Sequence, residues 1–273
     1  MVGKLYVVGT PIGNLGDFSP RAVETLENVD FIAAEDTRVT LKLLNRFEIK
    51  KEMLSYYEHN KNSKGNIIIE RLLKGESCAV VSDAGMPAIS DPGEDLVRLA
   101  HENGITVESV PGPSAVITAL SISGMPSGRF CFEGFLSVNK ISRREHLDDI
   151  KNEKRTMIFY EAPHKLMATL KDLMEYLGDR KIAVVRELTK IHETVLKTTL
   201  SGAMEHFTEN PPKGEFVLII EGKTEEVKEY TLQDALDIAK RLISEGQSTS
   251  AAAKEASAVT GIKKGEIYKL ILE

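Results

Sequence analysis

Four short β-branched runs in the first part of the chain, LYVVG, FIAAED, CAVVSD and TVESV, each end at a turn and are separated by stretches suited to helices. Parallel strands need long crossover connections, usually helices, so this alternation confines the region to βαβ units on a parallel sheet. Ser19 before Pro20 predicts a helix N-cap followed by a first-turn proline. Asp91, Pro92 and Glu94 predict a second start, with Asp91 as N-cap, Glu94 completing a capping box and Gly104 ending the helix. The segment PGPSA, Pro111 to Ala115, breaks regular structure after the last run, and a domain boundary is expected just beyond it.

From Arg129 the pattern resumes, with FCFEGF, TMIFYE, KIAVVRE and GEFVLIIEG as strands of a second α/β domain. At 273 residues the chain has room for about two ordinary domains of roughly 150 residues each. The run KTEEVKE reads as a linker. Beyond it Thr231 with Asp234 predicts a cap, Gly246 a stop, Ser248 a new start and Gly261 another stop. Three short helices so arranged fit a helix-turn-helix module and a helical cap on the second domain equally well. The expected organisation is an N-terminal α/β domain over 1–116, a C-terminal α/β domain over 117–224 and a helical region over 225–273.

Hydrophobic and charged fractions of 42% and 28% are those of a globular chain without disorder. No apolar run approaches the roughly 20 residues that span a bilayer, and the chain opens directly into a strand, so no membrane association and a cytoplasmic location are expected. Cys78 and Cys131 both sit in apolar strand-like runs, which predicts buried reduced thiols. Histidines are scattered, without a Cys/His group, so no metal site is expected. A net charge of −6 argues against binding nucleic acid by bulk electrostatics. Residues 138–155 nonetheless gather Lys140, Arg143, Arg144, Lys151, Lys154 and Arg155, as a solvated helix face or a local basic surface.

Chemistry is expected at the strand ends, because ligands of open α/β sheets bind beyond the carboxyl ends of the strands. VGTPIGNLGD, Val8 to Asp17, is a Gly/Pro-rich turn after the first strand, but it matches neither G-x-G-x-x-G nor a Walker A loop. VVSDAGMPAISDPG, Val80 to Gly93, leaves a strand through Asp83 and small residues that bare the backbone. Asp83 suits a ribose or amino contact and an Asx-turn equally. Acidic residues also end other strands: Glu35 and Asp36, Glu133, Glu161 and Glu187. Were those ends to converge, they would surround a polar pocket.

Taken together and in order, GTPIGN, AAEDTR, SDAGMPAISDPG, PGPSA, RFCFEGFL, IFYEAPHKL, RELTK and KGEFVLIIEG resemble the tetrapyrrole methylase superfamily, and within it the branch that methylates small-subunit ribosomal RNA. The resemblance runs from about Lys4 to Gly222 and extends into the helical tail. It implies two α/β domains of the tetrapyrrole methylase type with a cofactor cleft between them, S-adenosyl-L-methionine as cofactor and a homodimer. The acceptor it implies is the ribose 2′-oxygen of a cytidine in the 16S RNA of the small-subunit decoding centre. Carried over to this chain, it implies cofactor contacts at Pro11, Asp83, Ala84, Gly85, Ser114, Ala115, Tyr160, Leu188 and Phe216. Met86 stands where that branch often has threonine, and Lys165 where it often has arginine.

Methyl transfer from a sulfonium needs alignment and a proton acceptor. Asp36, at a strand end beside Thr37 and Arg38, is the first candidate base and Glu133 the second. Arg38, Arg143 and Arg144 are the candidate RNA phosphate contacts. Two rival readings accompany this one: a tetrapyrrole carbon methyltransferase, against which the helical tail and the GTPIGN loop count, and a non-catalytic RNA-binding assembly factor.

Overall fold

The computed structural model describes residues 2–224 and 230–273; the expected KTEEVKE linker falls largely outside them. Residues 1–223 form one compact unit and 224–273 a second.

The first sheet of the larger unit is built from β1 (Lys4–Val8), β2 (Phe31–Ala34), β3 (Glu52–Ser55), β4 (Cys78–Val81) and β5 (Thr106–Val110). All its pairings are parallel, in the order β3-β2-β4-β1-β5. Every residue of β2 and β4 is buried, as expected for inner strands covered by helices on both faces. Those helices are α1 (Pro20–Asn28), α2 (Thr37–Arg46), α3 (Lys61–Leu73) and α4 (Glu94–Glu102). Ser19 caps α1 as its sequence predicts, accepting from the Ala22 N–H at 3.1 Å. The start of α4 differs from expectation. Its N-cap is Gly93, at φ 143°, and no side chain caps it, so Asp91 is released from the role its sequence context gave it.

The chain leaves β1 toward β2 on one side and β4 toward β5 on the other, so the strand order reverses between β4 and β1. A crevice opens at such a switch point. There the two loops are tied together: Thr10 N–H donates to the Gly85 carbonyl at 2.9 Å and Gly85 N–H to the Thr10 carbonyl at 3.1 Å. At the end of β5, Gly112 N–H donates to the Met86 sulfur at 3.2 Å. Met86 thus ties the loop after β4 to the end of β5.

After β5 comes α5 (Ala115–Ser123), followed by the second sheet: β6 (Phe130–Gly134), β7 (Thr156–Glu161), β8 (Lys181–Arg186), β9 (Thr194–Thr199) and β10 (Phe216–Ile220), in the order β6-β7-β10-β8-β9. β6 and β7 are parallel, whereas β10 runs antiparallel between β7 and β8. The two-residue period of a strand divides β10 between two cores. Phe216, Leu218 and Ile220 join the layer formed with α6 (Lys140–Ile150), α7 (Leu166–Leu177) and α8 (Leu200–Glu209). Val217 and Ile219 pack on the other face with Val116, Ala119 and Leu120 of α5. The helix that follows PGPSA therefore belongs to the second sheet. Cys78 is fully buried and Cys131 partly so, and both are free thiols. Burial pushes the Cys131 thiol up to about 12, with Glu133 adding to it, so it stays protonated.

The smaller unit consists of α9 (Leu232–Ser244), α10 (Thr249–Thr260) and α11 (Lys264–Leu272), packed around Ala235, Ala239, Ala252, Ala253, Ala256 and Ile267. The predicted caps are present: Thr231 and Asp234 form a capping box, Ser248 caps α10 and Gly261 ends it in the left-handed region. No helix among the described residues is long and apolar enough to cross a membrane.

Candidate active site

Between the two sheets of the larger unit lies a cleft of about 340 Å³. One wall comes from the loops after β1 and β4 and the start of α5, through Ile12, Ala84, Gly85, Met86, Ser114 and Ala115. The other comes from the ends of β7 and β10 and the loop after β8, through Tyr160, Glu161, Leu188, Phe216 and Val217. Seven of the nine residues expected at the cofactor thus line one cavity. Pro11 and Asp83 lie instead in a neighbouring depression with Lys42 and Arg46.

Backbone strain collects around this cleft. Among the described residues five non-glycine positions have φ in the left-handed region, and Ala88, Ser90, Glu187 and Thr189 are four of them. All four sit in the loops after β4 and β8. Such conformations cost of order 1–3 kcal/mol each and persist where surrounding structure imposes them, most often at functional sites.

The carboxylates divide sharply. Asp36, the first candidate base, caps α2 and accepts from the Arg38 backbone N–H at 2.8 Å and from its guanidinium at 2.6 Å. Those bonds hold its carboxyl down at about 2, so it is a poor proton acceptor, and it does not line the cleft. The same ion pair engages Arg38. Glu133, the second candidate, sits at a register shift of β6 and meets His146 Nε2 at 2.9 Å, away from the cleft lining. Glu161 does reach the cleft, but it is buried, with one oxygen accepting from Ala162 N–H and the other from the Thr169 hydroxyl. Glu187 turns toward Lys190 and the Glu215 N–H.

Asp83 accepts from Asp36 N–H at 3.1 Å and its own N–H donates to Glu35 at 3.3 Å, clamping the loops after β2 and β4 together. Asp91, which sequence context disguised as a cap, lines the cleft with no hydrogen-bond or ion-pair partner among the described residues. Burial, with Glu35 and Asp83 adding to it, pushes its carboxyl up to about 6. Tyr160 packs edge-on against Phe132 and Phe135 at 4.9 and 5.5 Å between ring centres. Burial pushes its hydroxyl up to about 12, so the phenol is protonated at neutral pH.

Of the candidate phosphate contacts, Arg143 is committed within the fold. Its Nε donates to Asp172 at 2.6 Å and its Nη2 to the Thr169 hydroxyl at 2.9 Å, linking α6 through Thr169 to the buried Glu161. Arg144 is exposed. The two arginines should separate cleanly. Arg143→Ala is expected to lose about 1–3 kcal/mol of stability in a denaturant melt, from the acceptors left behind. Arg144→Glu should leave the melt unchanged within about 0.5 kcal/mol.

The lining suits S-adenosylmethionine. Apolar walls of Ile12, Leu188, Val217 and Tyr160 can hold an adenine ring and an aliphatic chain. The start of α5 has no side-chain cap, which leaves backbone N–H groups for a carboxylate, and the neighbouring Asp91 and Glu161 complement a cation. Among the described residues no group of His, Cys, Asp and Glu is arranged to hold a metal ion.

A doubly wound parallel sheet and a mixed sheet flank one apolar cleft that suits a methyl donor, and the comparison with known families agrees. Residues 4–203 match the model of the Tetrapyrrole (Corrin/Porphyrin) Methylases, and the chain belongs to that family. Its cofactor is accordingly S-adenosylmethionine. Among curated relatives, the ribosomal RNA small subunit methyltransferase I of Synechocystis sp. is 47% identical over 274 residues, covering 100% of this chain and 98% of that protein. The protein of the same name from Thermotoga maritima is 47% identical over 222 residues, which are 81% of this chain and 100% of that protein. Among solved structures, a diphthine synthase superposes with a TM-score of 0.62 at 14% identity, covering 81% of this chain and 91% of that one, and shares the fold.

Proposed function

We propose that this protein transfers the methyl group of S-adenosylmethionine to the ribose 2′-oxygen of a cytidine in the 16S RNA of the small ribosomal subunit, acting in the cytoplasm as a homodimer. The observation that carries this reading is the 47% identity over the whole chain to a relative named for small-subunit ribosomal RNA methylation. The cleft supports it: it has apolar walls for the donor, backbone donors at the start of α5, and an open rim toward solvent.

When bound, the cofactor supplies a methyl carbon already activated by its sulfonium, so the protein contributes chiefly alignment, exclusion of water and a place for the departing proton. Leu188, Val217 and the Tyr160 ring exclude water from the cleft, while the Thr10–Gly85 bridge keeps the loop of Ala84 and Gly85 at a fixed height. Substrate phosphates fall to exposed basic residues. Arg144→Glu is therefore expected to weaken RNA binding and lower the slope of log affinity against log salt by about one, with cofactor affinity unchanged. Arg38 is assigned the same task, on condition that RNA draws it from Asp36.

Methyl transfer to small subunits lacking the modification tests the reading, with tritiated donor and with free RNA and a porphyrinoid as parallel acceptors. Label in a ribose of the subunit RNA is the expected result. Label in the porphyrinoid would establish carbon methylation instead, and cofactor binding with no transfer would favour an assembly factor.

The smaller unit is assigned to recognition of the particle. The chemistry is assigned to the larger unit because the cleft lies wholly within it. A chain ending at Lys223 should accordingly bind the cofactor with unchanged affinity but methylate subunits at least about tenfold more slowly at limiting substrate, a loss of about 1.4 kcal/mol. Full activity of the truncated chain would remove that assignment.

A further inference from the structure

Asp91 stands on a wall shared by two cavities. On one side is the cofactor cleft. On the other is an open depression of about 560 Å³, which also includes Glu35, Tyr57, His59 and Ser90. Tyr57 is exposed, and its ring meets that of His59 edge-on at 6.2 Å. An exposed aromatic face beside a cofactor cleft suits a splayed nucleoside, because single-stranded RNA is commonly held by stacking its unpaired bases on aromatic rings. The segment carrying Asp91 keeps Ala88 and Ser90 in the left-handed region, a conformation that the surrounding structure must impose.

Elimination among the carboxylates of the cleft lining and the two earlier candidates leads to the same residue. Asp36 is tied to Arg38, Glu133 to His146, and Glu161 to Thr169 and Ala162 N–H. The cleft's Glu215 pairs with Lys190. We propose that the acceptor ribonucleoside enters the depression, rests its base on Tyr57 and gives its hydroxyl proton to Asp91 across the shared wall. This rests on the reading of the protein as a ribose methyltransferase. In the step, the ribose oxygen bonds to the methyl carbon and the carbon–sulfur bond breaks with its electron pair staying on sulfur. The proton passes from that oxygen to an Asp91 carboxylate oxygen.

Asp91 faces Glu35 from the end of β2, Asp83 from the loop after β4 and Tyr160 from β7, with Glu58, His59 and Glu94 around the same rim. Its two acidic neighbours and its burial raise its proton affinity, which suits a base that must take a proton and later release it. The sign is fixed: the carboxylate form gains population as pH rises through about 6, and the rate should rise with it. Stability runs the other way. The contribution of protonated Asp91 to the native state is complete below about 4 and is lost as pH rises through about 6.

The test is single-turnover methylation of small subunits by the full chain and by Asp91→Asn, Asp91→Glu and Tyr57→Ala, with wild-type transfer established first. Asp91→Asn should slow transfer at least about 100-fold at saturating cofactor, lose the inflection near pH 6 and melt higher than wild type at pH 7.5. Asp91→Glu should recover part of the rate. Tyr57→Ala should raise the subunit concentration at half-maximal rate at least about fivefold and leave the saturated rate within about threefold. Asp91→Asn transferring within threefold of wild type, or keeping the inflection, would overturn the assignment. An unchanged concentration dependence in Tyr57→Ala would overturn the seat. Wild-type protein that labels no ribose would overturn the underlying function, a result separable from both.

Discussion

Gly112→Val is expected to destabilise the protein by about 3 kcal/mol and to lower its melting midpoint by roughly 6–12 °C, with cofactor affinity falling as well. A side chain at Gly112 would place its Cβ 2.8 Å from the Cα and 2.9 Å from the carbonyl carbon and oxygen of Gly9. Those are backbone atoms of an adjacent parallel strand end, so no rotamer change relieves the clash. The converse holds at Gly9, whose Cβ would lie 2.7 Å from Gly112 N and Cα and 2.6 Å from the Met86 sulfur. Moving either backbone also breaks the Gly112 N–H to Met86 sulfur bond, and with it the support of the loop that forms one wall of the cleft. Differential scanning calorimetry with and without S-adenosylmethionine measures both effects. A melting point within 2 °C of wild type would mean that the strand ends separate easily and that the close approach is not a constraint.

Tyr160→Ala is expected to weaken S-adenosylmethionine about 30-fold, a loss of about 2 kcal/mol typical of a buried aromatic anchor. Tyr160 lies in the wall opposite Ala84 and Gly85, and its orientation is held by Phe132 and Phe135, each edge-to-face contact contributing about 0.5–1.5 kcal/mol. Removing the ring opens the cleft to water and frees Phe135, which is already 55% exposed. Tyr160→Phe keeps the ring and removes only a hydroxyl that stays protonated at neutral pH, so it should bind within about threefold of wild type. Isothermal titration calorimetry on the two variants decides the matter: an affinity unchanged in Tyr160→Ala would place the cofactor outside this cavity.

Most caps and stops that neighbours along the chain settle were legible in the sequence. The Ser19–Pro20 start, the Thr231 and Asp234 capping box and the Gly261 stop are each closed by bonds within a few residues. The buried strands β2 and β4 announced themselves as unbroken apolar runs. Two strands passed unread for the same reason in reverse. β3 is the four-residue edge segment EMLS, and β9 is the half-exposed edge segment TVLKTT, so neither carries an apolar run. The break in regular structure at PGPSA was visible, but that α5 packs under β8 and β10 was not, because an apolar helix does not encode which sheet covers it.

The candidate site was legible to the same extent. Loops at the ends of β1 and β4 marked themselves by glycine and proline, and seven of the nine expected cofactor residues share one cavity. The proposed proton acceptor was not. Asp91 before Pro92 looks like a helix cap, while Asp36 beside Arg38 looks free; the fold reverses both roles. A carboxylate's basicity depends on what it faces across the molecule. Arg38 lies two residues from Asp36 and neutralises it, whereas Glu35 reaches Asp91 only because β2 and β4 are neighbours, and Asp83 because the loop after β4 folds back on itself. Most elements, most caps and the loops where a ligand could bind were legible along the chain, since they follow from interactions among residues close in sequence. Which carboxylate of the cleft is left without a partner, and which wall it occupies, came from the fold, because strand order sets the distances between charges that the chain keeps far apart.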